Sequence, residues 1–220
     1  MIHIRPYQIF SAIENPDEPL TFFIPSLSKG GLTSIESMVL VAMLKRVRPL
    51  NVFEFGTFKG YSTRLLLENL DDREGSGPRV FTLDLPSLDK IRFQGDDGEL
   101  AEEGLGFPRK YALSGRSHLV RQILQDSMTL ETAPYMGQFQ FIFIDGNHQI
   151  DYVRKDTENA LSMLDGTGGC IVWHDYRNEQ FPELTGYLES LSETLPLVHI
   201  EDTMLVAFMP GLELPPRRNP

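Results

Sequence analysis

The stretch LVHIEDTMLVAF, residues 197–208, decides how the sheet of this chain is finished. Its two apolar runs, LVHI and TMLVAF, are separated only by Glu201-Asp202, so as strands they meet through a tight turn and run antiparallel. Upstream, short apolar runs alternate with amphipathic stretches. NVFEF (51–55), VFTLD (80–84), HLVRQILQD (118–126), FQFIFID (139–145) and CIVWHD (170–175) read as strands, and FQFIFID is apolar enough to be buried on both faces. Between them Tyr61 to Leu70 and Asp151 to Leu164 read as helices, followed by a third at Pro182 to Leu195. Val153, Ala160, Leu161 and Leu164 mark the inner side of the second, and Gly166-Thr-Gly-Gly169 ends it. This alternation belongs to a parallel sheet wrapped by helices. The expected fold is α/β, with a mostly parallel seven-stranded sheet ending in an antiparallel hairpin and helices on both faces.

Nearer the start, Thr33-Ser34-Ile35-Glu36 has the form of a helix capping box. Ile35, Val39 and Met43, with Leu40 and Leu44 beside them, give a helical apolar face to about Val47, and Arg48-Pro49 stops it. Residues 1–32, rich in Pro and Gly, read as an irregular N-terminal arm anchored by Tyr7, Phe10, Phe22 and Phe23. A single domain is expected over 33–209. Within it, 86–117 carries GDDGELAEEGLG and reads as a helix with an insertion or mobile lid, while 210–220 reads as a flexible tail.

Two hundred and twenty residues suffice for one large core without disulfides or a structural metal. Cys170 is the sole cysteine, which excludes an intramolecular disulfide and a cysteine-rich zinc site and fits a reducing compartment. Against 31 acidic residues stand 20 Lys and Arg, a formal charge of −11. That balance argues against nucleic-acid and anionic-membrane partners. The opening MIHIRPYQIF does not read as a signal peptide, and no apolar run is long enough to span a bilayer, so a cytoplasmic location is expected.

Glu54-Phe-Gly56-Thr57-Phe-Lys-Gly60-Tyr-Ser62 leaves a strand and enters a helix. Glycines at 56 and 60 allow a tight turn that a ligand can approach, and the helix that follows offers unpaired N–H groups. A plain strand-to-helix turn is the competing reading. Asp84, 24 residues after Gly60, ends the next strand, where a carboxylate can accept both hydrogens of a ribose diol.

These residues resemble class I S-adenosylmethionine-dependent methyltransferases, and GTFKGYST is similar to their first motif, most closely in the catechol O-methyltransferase-like and macrocin-type O-methyltransferase branches. The resemblance covers roughly Ser34 to Phe208 and includes the terminal hairpin of that Rossmann-like fold. It implies S-adenosylmethionine as cofactor: Gly56 and Gly60, with Thr57 and Ser62, along the methionine part, Glu54 orienting the loop or the amino group, Asp84 on the ribose, and Asp126-Ser127 at the adenine amine.

A second constellation, Ile144-Asp145-Gly146-Asn147-His148 with Tyr152 and Asp156, closes the most apolar strand. Trp173-His174-Asp175-Tyr176 leaves the adjacent strand at the same edge, so two carboxylates and two imidazoles can converge there. A divalent ion takes such ligands. The resemblance assigns Asp145 and an acidic pair after the next strand to Mg²⁺. Here the pair is His174-Asp175, which favours Mn²⁺, Fe²⁺ or Zn²⁺ over Mg²⁺, or a site without metal.

His148 lies three residues beyond Asp145, where the catechol enzymes place a lysine base. A histidine there can take a hydroxyl proton, and the plainer alternative is a helix N-terminal histidine bonding Asp151 or backbone. For His174 the plainer alternative is orienting Asp145 or Asp175. His3, His118 and His199 read as structural, Asp96, Asp97, Glu99, Glu102 and Glu103 as a solvated face, and Cys170 and Trp173 as core; Phe58, Tyr61 and Tyr176 are candidates to wall the pocket. The expected reaction is methyl transfer to a small-molecule or sugar hydroxyl, with His148 as base and Asp145, His174 and Asp175 holding a cation. A homodimer, a non-catalytic binding protein on the same fold and a nucleotide-binding oxidoreductase stay open at this point.

Overall fold

Glu36 accepts the Thr33 amide at 2.9 Å while the Thr33 hydroxyl accepts the Glu36 amide, so the capping box read from the sequence starts α2 (Ser34–Val47). The helix stops at Arg48, which turns left-handed ahead of Pro49. In this computed structural model the described residues are all except 14, 16, 24–29, 74–76, 89–96, 167 and 212–220. The acidic residue Asp96, part of the segment before α4 and the chain's last residues therefore lie outside the description.

In chain order the elements are β1 (Ile2–Ile4), α1 (Pro6–Phe10), α2, β2 (Val52–Phe55), α3 (Tyr61–Asn69), β3 (Val80–Asp84), α4 (Asp97–Gly106), β4 (Val120–Leu124), β5 (Phe141–Ile144), α5 (Ile150–Met163), β6 (Cys170–Trp173), α6 (Pro182–Leu191), β7 (Leu197–Ile200) and β8 (Val206–Phe208). Short 3₁₀ turns flank β4, and His118-Leu119, read as strand, belong to one of them. The sheet order is β1-β7-β8-β6-β5-β2-β3-β4. All neighbours are parallel except at β8, which runs antiparallel to both β6 and β7.

All seven strands read from the sequence are present, and an eighth joins them. Ile2–Ile4 pairs in parallel with β7, register Ile4 to Ile200, so the arm expected to be irregular begins as an edge strand. Three residues before a proline carry too little periodicity to announce a strand. The hairpin loop is also longer than the two residues expected: Thr203, Met204 and Leu205 leave the ladder, and Asp202 takes a left-handed φ of 63°.

Alternation along the strands divides the core between the two faces of the sheet. Leu40, Met43, Leu65, Phe141, Phe143 and Val172 pack under α1, α2 and α3. Phe53, Phe55, Ile142, Ile144 and Trp173 pack under α5 and α6. Trp173 is fully buried and its indole N–H donates to Thr157 Oγ1 at 2.9 Å, as burial of a polar tip requires. Leu161, read as inward, is 38% exposed instead.

The chain leaves β2 for β3 on one side and later returns to β5 on the other, so a topological switch point falls between β2 and β5. Ligands of open α/β sheets bind outside the carboxyl ends of the strands at that point. Ile4 is 2% exposed within the first core layer, so Ile4→Ala should lower the free energy of urea unfolding by about 2–5 kcal/mol; an unchanged midpoint would show that β1 is not docked in solution.

Candidate functional site

Register places the functional residues. Phe55 pairs with Ile144, and Ile144 with Trp173, so Gly56, Asp145 and His174 leave neighbouring strands side by side. Gly56 has φ +93°, and a Cβ on it would stand 2.0 Å from the Asp145 carbonyl oxygen. Its first demand is thus on packing: glycine lets the β2 and β5 loops touch. Gly60, at φ +72°, begins α3, and a Cβ there would meet the Tyr111 ring at 2.9 Å.

The two loops open on a cleft of about 480 Å³, within the range of small-molecule and cofactor sites. Of the residues read from the sequence as site residues, Gly56, Thr57, Ser62, Asp84, Ser127, Asp145, His148, His174 and Asp175 line it, as do Phe58 and Tyr61. Three stand back. Gly60 lies under Tyr111, and Asp126 caps the Met128 amide at 3.0 Å while accepting the Tyr152 hydroxyl at 3.3 Å. Glu54 is fully buried on the α3 side of β2. Tyr176, a candidate for the cleft wall, is 1% exposed and lines a separate groove beside His199.

Glu54 accepts the hydroxyls of Thr63 and of Thr82, the latter at 2.6 Å, and Thr82 in turn meets Thr57 Oγ1 at 2.7 Å. Its other oxygen has no hydrogen-bond partner among the described residues. Burial pushes its carboxyl up to about 7, against the pull of the Ser62, Thr63 and Thr82 hydroxyls. Asp156, 2% exposed and also along the cleft, is likewise pushed up to about 7 by burial, with the Asp126 charge adding to the effect and a Ser127 hydrogen bond opposing it. Asp84 receives its own Leu85 amide at 3.0 Å and the Arg109 guanidinium at 3.1 Å. Burial raises it and the Arg109 charge opposes the rise.

At the other end, His174 Nδ1 lies 2.9 Å from Asp175 Oδ2 and 3.2 Å from Asp145 Oδ1. Its Nε2 faces Glu36 Oε2 at 3.5 Å, too long for a hydrogen bond that satisfies it. Burial would lower the His174 imidazole, yet the charges of Asp175 and Asp145 hold it well above the ordinary histidine value. Burial would raise Asp175, yet His174 and His148 hold it well below the carboxylate range. Glu36 follows the same logic: burial opposes, but His174 and the amides of Met204 and Thr33 bring it down to about 2. Sequence reasoning saw Glu36 only as a helix cap; its bond from the Met204 amide, 2.8 Å across 168 residues, has no local signal.

His148 meets Asp175. Its Nε2 is 2.8 Å from Asp175 Oδ2, and its ring stacks on Phe181 at 4.1 Å and 10°. Asn178 Nδ2 donates to the other Asp175 oxygen at 2.6 Å. The turn that holds Asp175 is strained, with Asp175 and Arg177 at φ 62° and 64°, a cost of order 1–3 kcal/mol each that an over-determined site sustains. One ligand atom each from Asp145, His174 and Asp175 falls within 4.8 Å of the others. This donor set of one imidazole and two carboxylates fits a first-row divalent ion better than Mg²⁺. Cys170 is buried in β6, which pushes its thiol up and removes it from nucleophilic chemistry.

A mostly parallel sheet closed by an antiparallel strand, with Asp84, Asp145 and Asp175 at or just past the carboxyl ends of β3, β5 and β6, is the Rossmann-like fold of class I S-adenosylmethionine-dependent methyltransferases. The chain belongs to the family described as methyltransferase domain, whose model matches residues 53–176, more than half its length. No curated protein sequence matches it. Among solved structures it is similar to an O-methyltransferase from Bacillus cereus in complex with SAH (18% identity, TM-score 0.53, 83% of this chain and 84% of that one covered). It is also similar to the O-methyltransferase TomG from Streptomyces achromogenes, involved in tomaymycin synthesis and in complex with SAM (17%, 0.54, 94% and 89%). The SAH-bound Podospora anserina methyltransferase PaMTH1 is a third (16%, 0.52, 80% and 77%). The nucleotide-binding oxidoreductase reading falls with this family assignment. Among the described residues no helix is long and apolar enough to cross a membrane.

Because Glu54 is neutral more readily when folded than unfolded, its ionisation destabilises the fold as pH rises from about 4.5 to about 7. Glu54→Gln should therefore gain in melting temperature relative to the wild type between pH 5 and pH 8. A difference that does not move with pH would contradict the burial assigned to this carboxyl.

Proposed function

We propose that this methyltransferase acts on a hydroxyl of a small molecule, with S-adenosylmethionine as donor and His148 as the base. The observation that carries the reading is the His148–Asp175 contact of 2.8 Å at the mouth of the cleft that Asp84 and Gly56 also line. When bound, the cofactor supplies an already activated methyl group. The protein's work is then to align donor and acceptor and to accept one proton.

Each residue has a part in that. Asp84 would receive the ribose diol, Ser127 and the neighbouring Asp126 turn would meet the adenine, and Gly56, Thr57 and Ser62 would follow the methionine part. Glu54, buried beneath this loop and bonded by Thr63 and Thr82, would lock the loop in place. His148 would take the acceptor hydroxyl's proton, while the cofactor would supply the methyl group, its sulfur–methyl bond breaking so that it leaves as neutral S-adenosylhomocysteine. Asp175 holds the imidazole and stabilises the charge it gains, and Phe181 keeps the ring plane.

A divalent cation held by Asp145, His174 and Asp175 would lower the pKa of an acceptor hydroxyl. The nitrogen ligand favours Mn²⁺ over Mg²⁺, and Glu36 behind His174 supplies the outer carboxylate that commonly orients a metal-bound imidazole. The apolar walls contributed by Leu85, Leu88, Leu100 and Phe181 suit an acceptor with a flat or aliphatic body better than a polyanion.

Calorimetric titration with S-adenosylhomocysteine, repeated with EDTA, Mg²⁺ and Mn²⁺, tests the proposal. Micromolar binding is expected, and no binding under any condition would sink it; Mn²⁺ should bind more tightly than Mg²⁺. Asp84→Ala should weaken binding by at least about tenfold, since it removes hydrogen bonds to a charged acceptor. His148→Ala should leave binding intact and slow turnover of a hydroxylated acceptor by about 10²–10⁴-fold. Equal turnover in that variant would dismiss His148 as the base.

A further inference from the structure

Arg109 carries no motif, yet its guanidinium joins three parts of the cleft. Nη2 donates to Asp84 Oδ2 at 3.1 Å, and Nη1 donates to the Gly104 carbonyl in α4 at 2.8 Å and to the Phe58 carbonyl in the β2–α3 loop. The ion pair is mostly withdrawn from water, with side chains 13% and 22% exposed, so it is screened far less than a surface pair. Phe58 holds a left-handed φ of 46°, costly for an aromatic residue unless its neighbours fix it.

A second cation ties the same two elements. Lys59 Nζ lies 2.8 Å from Glu103 and over the rings of Phe58 and Phe107, at 4.9 and 5.1 Å. Gly104 packs so closely on Phe58 that a Cβ would stand 3.0 Å from its ring. α4 is thus fastened to the β2–α3 loop, and of these two cations Arg109 is the one that also reaches Asp84.

We infer that Arg109 is a positioning residue for the nucleoside half of the cofactor: it fixes the Asp84 carboxylate against the ribose diol and holds the Phe58 turn and α4 around it. The inference rests on the reading of Asp84 as the ribose ligand. With the Leu85 amide on one oxygen and Arg109 on the other, the carboxylate cannot rotate away from the cleft. A lysine could keep the charge but not the planar fork that serves three acceptors at once.

The test compares S-adenosylhomocysteine with its 2′-deoxy analogue by calorimetry in the wild type, Arg109→Ala, Arg109→Gln and Arg109→Lys, with thermal melts to confirm folding. The wild type should prefer the ribose ligand at least tenfold. Removing the guanidinium should weaken that ligand about tenfold and bring the preference close to one, and Lys should restore only part of it. Glutamine keeps the inference testable should the alanine variant not fold. A purely structural role would weaken both ligands equally, and an unchanged preference overturns the inference. Failure of the wild type to bind S-adenosylhomocysteine would overturn the cofactor reading beneath it as well, whereas binding without preference would overturn the role of Asp84 on the ribose.

Discussion

One backbone contact sets the geometry of the site: Gly56 passes the Asp145 carbonyl so closely that a Cβ on it would stand 2.0 Å from that oxygen. Neighbouring parallel strands bring the two residues to the same level, but only a glycine lets the loops that follow them meet. In the proposed reaction the loop after β2 follows the methionine part of the donor, and the loop after β5 carries Asp145 and His148. Gly56, Asp145 and His148 line one cleft because these loops touch at their first residues, and the proposed donor and base would meet there. Had β2 and β5 been separated by another strand, each about 4.8 Å wide, the same residues would stand too far apart to act together.

A buried chain of charge is built outward from that contact. Glu36, His174, Asp145, Asp175 and His148 follow one another from the start of α2 to the cleft mouth. Burying so many ionisable groups costs several kcal/mol per ion unless each finds an opposite charge or a hydrogen bond. The Met204 and Thr33 amides serve Glu36, Asn178 serves Asp175, and the imidazoles serve the carboxylates. The arrangement ties α2 and the β7–β8 hairpin to the cleft. It also explains why a hairpin loop remote in sequence matters here: Met204 borders the cleft and bonds Glu36 from the same turn.

Much of this was legible in the residues. An apolar run followed by an acidic residue marks the carboxyl end of a buried parallel strand, and Asp84, Asp145 and Asp175 stand at or just past β3, β5 and β6. The final hairpin was equally plain, because two strands joined by a few residues have one relative direction. What escaped were contacts between positions with no shared pattern. Arg109 reaches Asp84 across 25 residues, His148 bonds Asp175 across 27, and Glu36 looked complete as a helix cap before its second partners came into view. The edge strand at Ile2–Ile4 was too short for alternation to show. Gly56 was read as making space for a ligand, and its first use is space for Asp145.

The most direct measurement is the binding of S-adenosylhomocysteine to Gly56→Ala, followed with its thermal melt. The added methyl must displace backbone rather than a flexible side chain and must also take a left-handed φ, so the two loops have to part. A melting temperature several degrees lower and affinity reduced by more than tenfold are expected. A variant that melts with the wild type and binds the ligand equally well would contradict the claim that this contact builds the site.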